Sequence, residues 1–325
     1  MNMARRNGAA VLIAIAACGC FMETAPAEDS STITSLTVEQ AREVVAKKGG
    51  GKSFDALTTL SPEVAEVLVA VEGLLSFNGL TELSPATAAV LARHKPVGQF
   101  GHADLRLSGL KTLAPEAAAA LAAHQGKVLL YGLETLDSVP LAQKLARQWG
   151  ELRLGIKELS PEIAAELAKH RGDEEDKTRP GVIQRRQDGA ASVLRLDRIE
   201  LLSLATAEAL SAHEGVLVLN DLVSLDPPVA AALAKRVGNS KGNRTGTLVL
   251  NGLPTISAEA AAALAAFPGE LVLKGITALS PEAAAALAGH KGRLHLTGLT
   301  TLSPEIRAIL RGHPDVLLPR SPAAA

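Results

Sequence analysis

The chain has 325 residues, of which 47% are apolar and 21% charged, and its formal net charge is -1. A balance so close to neutral gives no basic footprint for nucleic acid, which argues against that class of partner. With only five Phe, one Trp and one Tyr, the core must be built from Ala and branched aliphatic side chains, and a sugar-stacking site has few platforms.

Residues 1–27 read as a signal segment. Arg5 and Arg6 form a basic start, Ala9 to Met22 an apolar run too short to span a bilayer comfortably, and Ala25-Pro26-Ala27 a cleavage site. Export to an extracytoplasmic location, secreted or periplasmic, is therefore predicted. A second reading stays open, because Ile15-Ala16-Ala17-Cys18 is similar to a bacterial lipoprotein signal, in which Cys18 would be acylated and tie the chain to the envelope. Membrane association is expected only in that case. Both cysteines, Cys18 and Cys20, lie here, so cleavage after Ala27 leaves neither a disulfide nor a thiolate metal ligand.

Residues 28–52 read as an N-terminal capping unit. Thr37 followed by Gln40 makes a capping box for a helix from Val38 to Lys48, whose many charges suit the covering of an open hydrophobic end. From residue 53 to 318 the chain repeats. The segment LVLKGITALSPEAAAALAGHKG from Leu271 to Gly292 returns 23 residues later as LHLTGLTTLSPEIRAILRGHPD. Equivalents of Gly275 fall at Ala56, Gly79, Gly109, Gly132, Gly155, Arg198, Asp221, Gly252 and Gly298. Three steps between them are longer, which places insertions near 96–104, 171–190 and 237–246.

Each copy opens with Leu-x-Leu, whose period of two points both Leu to one face and predicts a short strand with one buried side. A turn follows, then Ser-Pro-Glu at Ser61, Ser160, Ser280 and Ser303. Ser caps a helix, Pro suits its first position, and Glu favours the positive end of the dipole. Ala284, Leu287 and Ala288 then mark an inward helical face. Gly at 126, 172, 215 and 292 is expected to supply a left-handed stop. A helix of about ten residues rises roughly 15 Å, close to the length of the strand, so the chain can return to start a parallel strand beside the last. The fold class is α/β: a single-domain right-handed solenoid of about ten strand-turn-helix repeats, with a parallel sheet on one face and Ala-rich helices on the other. Arg307 and Arg311 replace inward Ala in the last helix, a strand from Val316 to Leu318 closes the sheet, and residues 319–325 read as a flexible tail.

The period, the short strand per copy and the Leu-rich consensus make the chain similar to leucine-rich-repeat proteins. It lacks their Asn ladder, since Leu80, Leu110, Leu253 and Leu299 stand where the family places Asn. The resemblance implies ligand binding on the sheet face or the rims, with no ligand specified.

The middle residues of the strands form a row that is expected to be exposed. It is basic at Arg106, Arg153 and Arg195 and apolar at Val218, Val249 and Val272; Asp197, Asn220 and Asn251 lie one step on. Such a stripe suits a protein or peptide with acidic and apolar parts. Val and Arg equally suit a half-exposed strand with no ligand. His94, His124, His170, His213, His290 and His313 share one register at helix C-termini. One His per helix, with helices about 8–10 Å apart, is poor metal geometry. Capping of carbonyls fits better, and a protonated His favoured there predicts stability rising as pH falls. The run Asp173-Glu174-Glu175-Asp176 lacks the spacing of a calcium loop. No nucleophile elbow, phosphate loop or metalloprotease His pair is present. The expectation is an exported, non-enzymatic repeat scaffold without cofactor that binds protein or peptide. An envelope-associated structural lipoprotein is the alternative, and an unrecognised hydrolase the third reading.

Overall fold

A computed structural model describes residues 33–47, 51–95, 104–172, 192–236 and 246–319. The signal segment, Cys18, the acidic run at 173–176 and most of the three insertions lie outside these residues.

Helix and strand alternate throughout. The chain opens with α1 (Val38–Ala46), β1 (Lys52–Ser53), α2 (Pro62–Leu68), β2 (Leu75–Ser76), α3 (Pro85–Leu91) and β3 (Leu105–Arg106). It continues through α4 (Pro115–Ala122), β4 (Val128–Leu129), α5 (Val139–Ala146), β5 (Leu152–Leu154), α6 (Pro161–Leu167) and β6 (Val193–Leu196). Then come α7 (Leu204–Leu210), β7 (Val216–Val218), α8 (Pro227–Ala234), β8 (Thr247–Val249), α9 (Ala258–Ala265) and β9 (Glu270–Val272). The described chain closes with α10 (Pro281–Ala288), β10 (Leu294–His295), α11 (Pro304–Leu310) and β11 (Val316–Leu317). All pairing is parallel between consecutive strands, in one sheet from β1 to β4 and a second from β5 to β11.

Local chemistry accounts for these elements. The capping box of α1 forms as read, with Gln40 N–H donating to Thr37 Oγ1 and Thr37 N–H to Gln40 Oε1 at 2.9 Å. Serines cap later helices in the same way, as where Ala283 N–H donates to Ser280 Oγ at 3.1 Å. Within each copy the two strand Leu and the helix Leu meet in one core; Leu271, Leu273, Ile276, Ala284 and Leu287 are fully buried. Each such Leu contributes about 1.5–3 kcal/mol.

The repeated glycine is required by crowding. A Cβ on Gly275 would lie 1.9 Å from Asn251 O, and one on Gly298 1.8 Å from Lys274 O. Neighbouring turns therefore stack with no room for a side chain. The glycines expected to stop helices correct that reading. Helices end in right-handed residues such as Ala123 and Gly289, and of the four only Gly172 has positive φ. Gly215 and Gly292 are glycine for the crowding reason, since a Cβ there would lie 2.0 Å from Ser192 O and 1.9 Å from Gly269 O.

The sheet divides between β4 and β5, and a side chain occupies the division. Leu105 and Leu107 donate to Lys127 and Leu129 carbonyls, so the Val128 carbonyl points the other way, toward β5. There it accepts from Gln148 Nε2 at 3.2 Å. The turn after β4 is also one residue longer than usual and the turn after β5 one shorter, counted from strand Leu to helix cap. In β5 and β6, Leu154 pairs with Leu196, which sets Gly155 level with Asp197 instead of Arg198. Arg198, in the glycine column, adopts φ 73°, the one non-glycine residue with positive φ among those described.

Gly275→Ala should lower stability by about 1–3 kcal/mol by overpacking the stacked turns. Urea unfolding followed by circular dichroism measures this; an unchanged midpoint would show that the turns separate freely.

Candidate functional site

The turns between strand and helix carry a second backbone ladder. Glu134 N–H donates to Lys111 O at 2.8 Å, Lys157 to Glu134 at 3.0 Å, Val223 to Glu200 at 3.1 Å, Thr277 to Pro254 at 3.1 Å and Thr300 to Thr277 at 3.0 Å. Among the described residues no such bond joins Thr58 to Thr81, Thr81 to Lys111, Lys157 to Glu200 or Val223 to Pro254. The last three of these steps carry insertions, and Pro254 has no N–H to give. The rim therefore opens on both sides of the Glu200–Val223 rung.

An open depression of about 540 Å³ lies there, lined by Lys157, Arg198, Glu200, Asn220, Asp221, Val223 and Gly252. Both non-glycine members of the glycine column after Ala56, Arg198 and Asp221, belong to it. Arg198 is held by two anchors: its N–H donates to Asp221 Oδ2 at 2.8 Å and its guanidinium to Glu134 Oε1 at 2.8 Å. Glu134 also meets Lys157 at 2.7 Å and Lys111 at 3.7 Å. The hydrogen bond from Lys157, followed by the charges around it, holds the Glu134 carboxyl below its ordinary pKa. Lys157 and Arg198, the two cations of the depression, thus share the one carboxylate of Glu134, and Asn220 Oδ1 is buried without a partner.

Beside the depression the rim turns apolar. Leu201, Val223 and Leu204 are 70%, 52% and 43% exposed. Leu201 occupies a position filled elsewhere by Glu82, Thr112, Glu158, Thr255 and Thr301, and Leu204 one filled by Pro62, Pro85, Pro115, Pro161, Pro281 and Pro304. These residues were missed in the sequence reading. The available signal was the loss of Pro after Ser203, together with Arg198 and Asp221 in the glycine column.

The expected sheet face is less open than its pattern suggests. Arg153 and Arg195 are in register on adjacent strands, and each is neutralised diagonally, Arg153 Nε by Asp197 at 2.7 Å and Arg195 Nε by Glu151 at 2.6 Å. Arg106 is half-buried, with Nε unpartnered. Exposure was expected at Val218 and Val272, yet they are only 3% and 8% exposed. The correction has a simple cause: Val218 has Arg195 and Val249 in register on either side, and Val272 has Val249 and His295. Val249 is half-buried. Asn251 works between copies, its Oδ1 accepting from Lys274 N–H at 3.1 Å, as Asn78 Oδ1 accepts from Ser108 N–H at 3.1 Å. A side-chain staple between copies thus exists, placed directly after the strand.

The histidines form a buried column in which ring packs on ring. Centroids lie 6.2 Å apart for His94–His124, 6.4 Å for His170–His213 and 5.8 Å for His290–His313. Nδ1 of His94, His170 and His213 faces the carbonyl of Val69, Ala146 and Ala168 at 3.2, 3.1 and 3.3 Å, each at the helix end of the preceding copy. Gln148, Arg236 and Phe267 fill the same register elsewhere. Arg236 is buried and donates to the carbonyls of Thr247, His213 and Gly215 at 3.1, 3.2 and 2.6 Å. Capping occurs, but between copies and inside the core, which reverses the expected charge effect. Burial pushes His170, His290 and His313 below the ordinary histidine pKa, and burial with the Arg236 charge beside it pushes His213 down to about 3. Among the described residues no group of three His, Cys, Asp or Glu could hold a metal ion, and no helix is long and apolar enough to cross a membrane.

No protein-family model matches the chain, and no curated protein matches it.

Because these histidines have lower pKa values folded than unfolded, their stabilising contribution is complete above about pH 6.5 and is lost as pH falls toward the folded values. The melting temperature should therefore fall between pH 7.5 and 5.5, each such histidine costing at most about 1.4 kcal/mol per pH unit below 6.5. A melting temperature that rises on acidification would restore the surface-capping picture.

Proposed function

We propose that the chain is an exported, non-enzymatic, leucine-rich-repeat-like solenoid that binds an extended peptide or protein segment at the rim between strand and helix. One observation carries this reading. Exposed Leu201, Leu204 and Val223 replace the polar residues or Pro of other copies where the turn ladder opens into a depression. The direction of the ladder leaves the Glu200 N–H and the Val223 carbonyl toward the opened steps. An extended backbone satisfies such groups while an apolar side chain covers the Leu–Val patch. The sheet face ranks below the rim because Arg153 and Arg195 are already paired and two of its Val are covered.

Random dodecamer peptides selected on the wild-type protein test the proposal. Leu201→Glu with Val223→Glu should weaken binding of the selected peptides at least about tenfold, since an unpaired charge at an interface costs more than 1.4 kcal/mol. Arg153→Glu with Arg195→Glu should leave it intact. The opposite pattern would move the site to the sheet face and reject the rim.

A further inference from the structure

The last histidine of the column differs from the others in the direction of its hydrogen bond. His313 Nδ1 accepts from Asp315 N–H at 3.0 Å, so its neutral form keeps a lone pair on Nδ1 and carries its proton on Nε2. Nε2 is buried with no hydrogen-bond partner. Protonation must take place at Nδ1, where it sets one donor against another and breaks the bond that shapes the turn into β11. His94 and His170 are built the other way. Both their ring nitrogens face carbonyls, with Nε2 2.8 Å from Gly73 O and from Gly150 O respectively. Those carbonyls are turned in by left-handed glycines, with φ 91° and 82°, so a second N–H on either ring finds an acceptor.

We infer that His313 is an acid-sensitive latch on the last strand: its protonation releases the turn at Asp315 and frees β11 from β10, while the preceding strands stay paired. The position favours local release, since among the described residues β11 pairs with β10 alone and a copy with one neighbour is held by one interface. Burial is the largest effect on His313 and lowers its pKa; the charge of His290, whose ring stacks on it, also opposes protonation, while the Asp315 charge and the His290 backbone carbonyl favour it. Asp315 is itself tied to Arg293 at 2.9 Å. Glu270 on β9 is engaged by His295 at 2.7 Å. Lys291, before β10, and Arg307 and Arg311, on or just after α11, are positive, while Glu282 on α10 and Glu305 on α11 are negative.

Amide exchange read by NMR on the full chain tests the latch, because Leu294 N–H donates to Asp315 O and Leu296 N–H to Leu317 O. After correction for intrinsic exchange, protection at Leu294 and Leu296 should fall by up to about tenfold per pH unit below the ordinary histidine range, the limit for one proton. Leu271 and Leu273, which donate to Arg293 and His295 carbonyls, should keep their protection over that range. His313→Gln should make Leu294 and Leu296 insensitive to pH, because an amide can accept from Asp315 N–H without titrating and Gln148 already occupies this register. His290→Gln should retain the acid release. Protection at Leu294 and Leu296 that stays flat in the wild type overturns the latch, as does a fall shared equally with Leu271 and Leu273. The wild-type comparison stands whether or not the variants fold. An unchanged acid response in folded His313→Gln would also overturn it.

Discussion

Each copy must lie on the one before it at a single spacing in three places at once. At the strand that spacing is set by parallel pairing, about 4.8 Å. At the turn it brings a glycine Cα against the previous copy's carbonyl, close enough that a Cβ on Gly275 would stand 1.9 Å from Asn251 O. At the helix end it brings a ring nitrogen to the previous helix's last carbonyls, as His170 Nδ1 to Ala146 O at 3.1 Å. Small helix residues belong to the same constraint: Ala283 and Ala284 are fully buried, where a longer side chain would push α10 from its neighbours. None of these contacts lies within one copy, so the interfaces between copies add their own stability to the core that each copy buries.

Departures from the spacing are local and have chemical causes. Gln148 takes the place of a ring in the column and claims the Val128 carbonyl, and the sheet divides there. The following turn is one residue shorter, and in the next copy Arg198 adopts a left-handed conformation, at a cost of order 1–3 kcal/mol. Glu134 and Asp221 hold it in that state. The insertions act differently: the strands pair across all three steps, while the turn ladder opens at each. The Thr58–Thr81 step lacks the rung without an insertion, and the depression is lined by residues of two steps that lack the rung and carry an insertion.

The local rules of the repeat were legible because they depend on neighbours in sequence. Thr37 with Gln40, Ser before Pro, and the alternation of Leu each name a partner a few residues away. What was misread depends on the residue one copy away. Gly292 looked like a helix stop because glycine permits positive φ, whereas its real constraint is Gly269 O. Val218 looked exposed by alternation, but residues in register on both sides cover it. His213 read as a helix-end cap favoured when protonated, and only the stacked His170 and the neighbouring Arg236 show that it is buried and neutral. The rim site left a faint trace, visible only when copies are aligned by column: Arg198 and Asp221 where glycine belongs, and Leu204 where Pro belongs.

Arg236 shows what a charge in the buried column requires. Its guanidinium reaches three carbonyls on two segments, and although burial lowers its pKa to about 10, it remains charged at neutral pH. Convergent backbone acceptors can therefore hold a cation inside this array without a carboxylate. His94 and His170 have two acceptors each, and His213 has one, with its Nε2 unpartnered and the charge of Arg236 close by. Carbonyls turned toward a ring favour its charged form, but for His170 and His213 burial is the larger effect and holds the pKa down. Chemically identical histidines in one register therefore need not respond alike, because the groups facing them from the neighbouring copy differ.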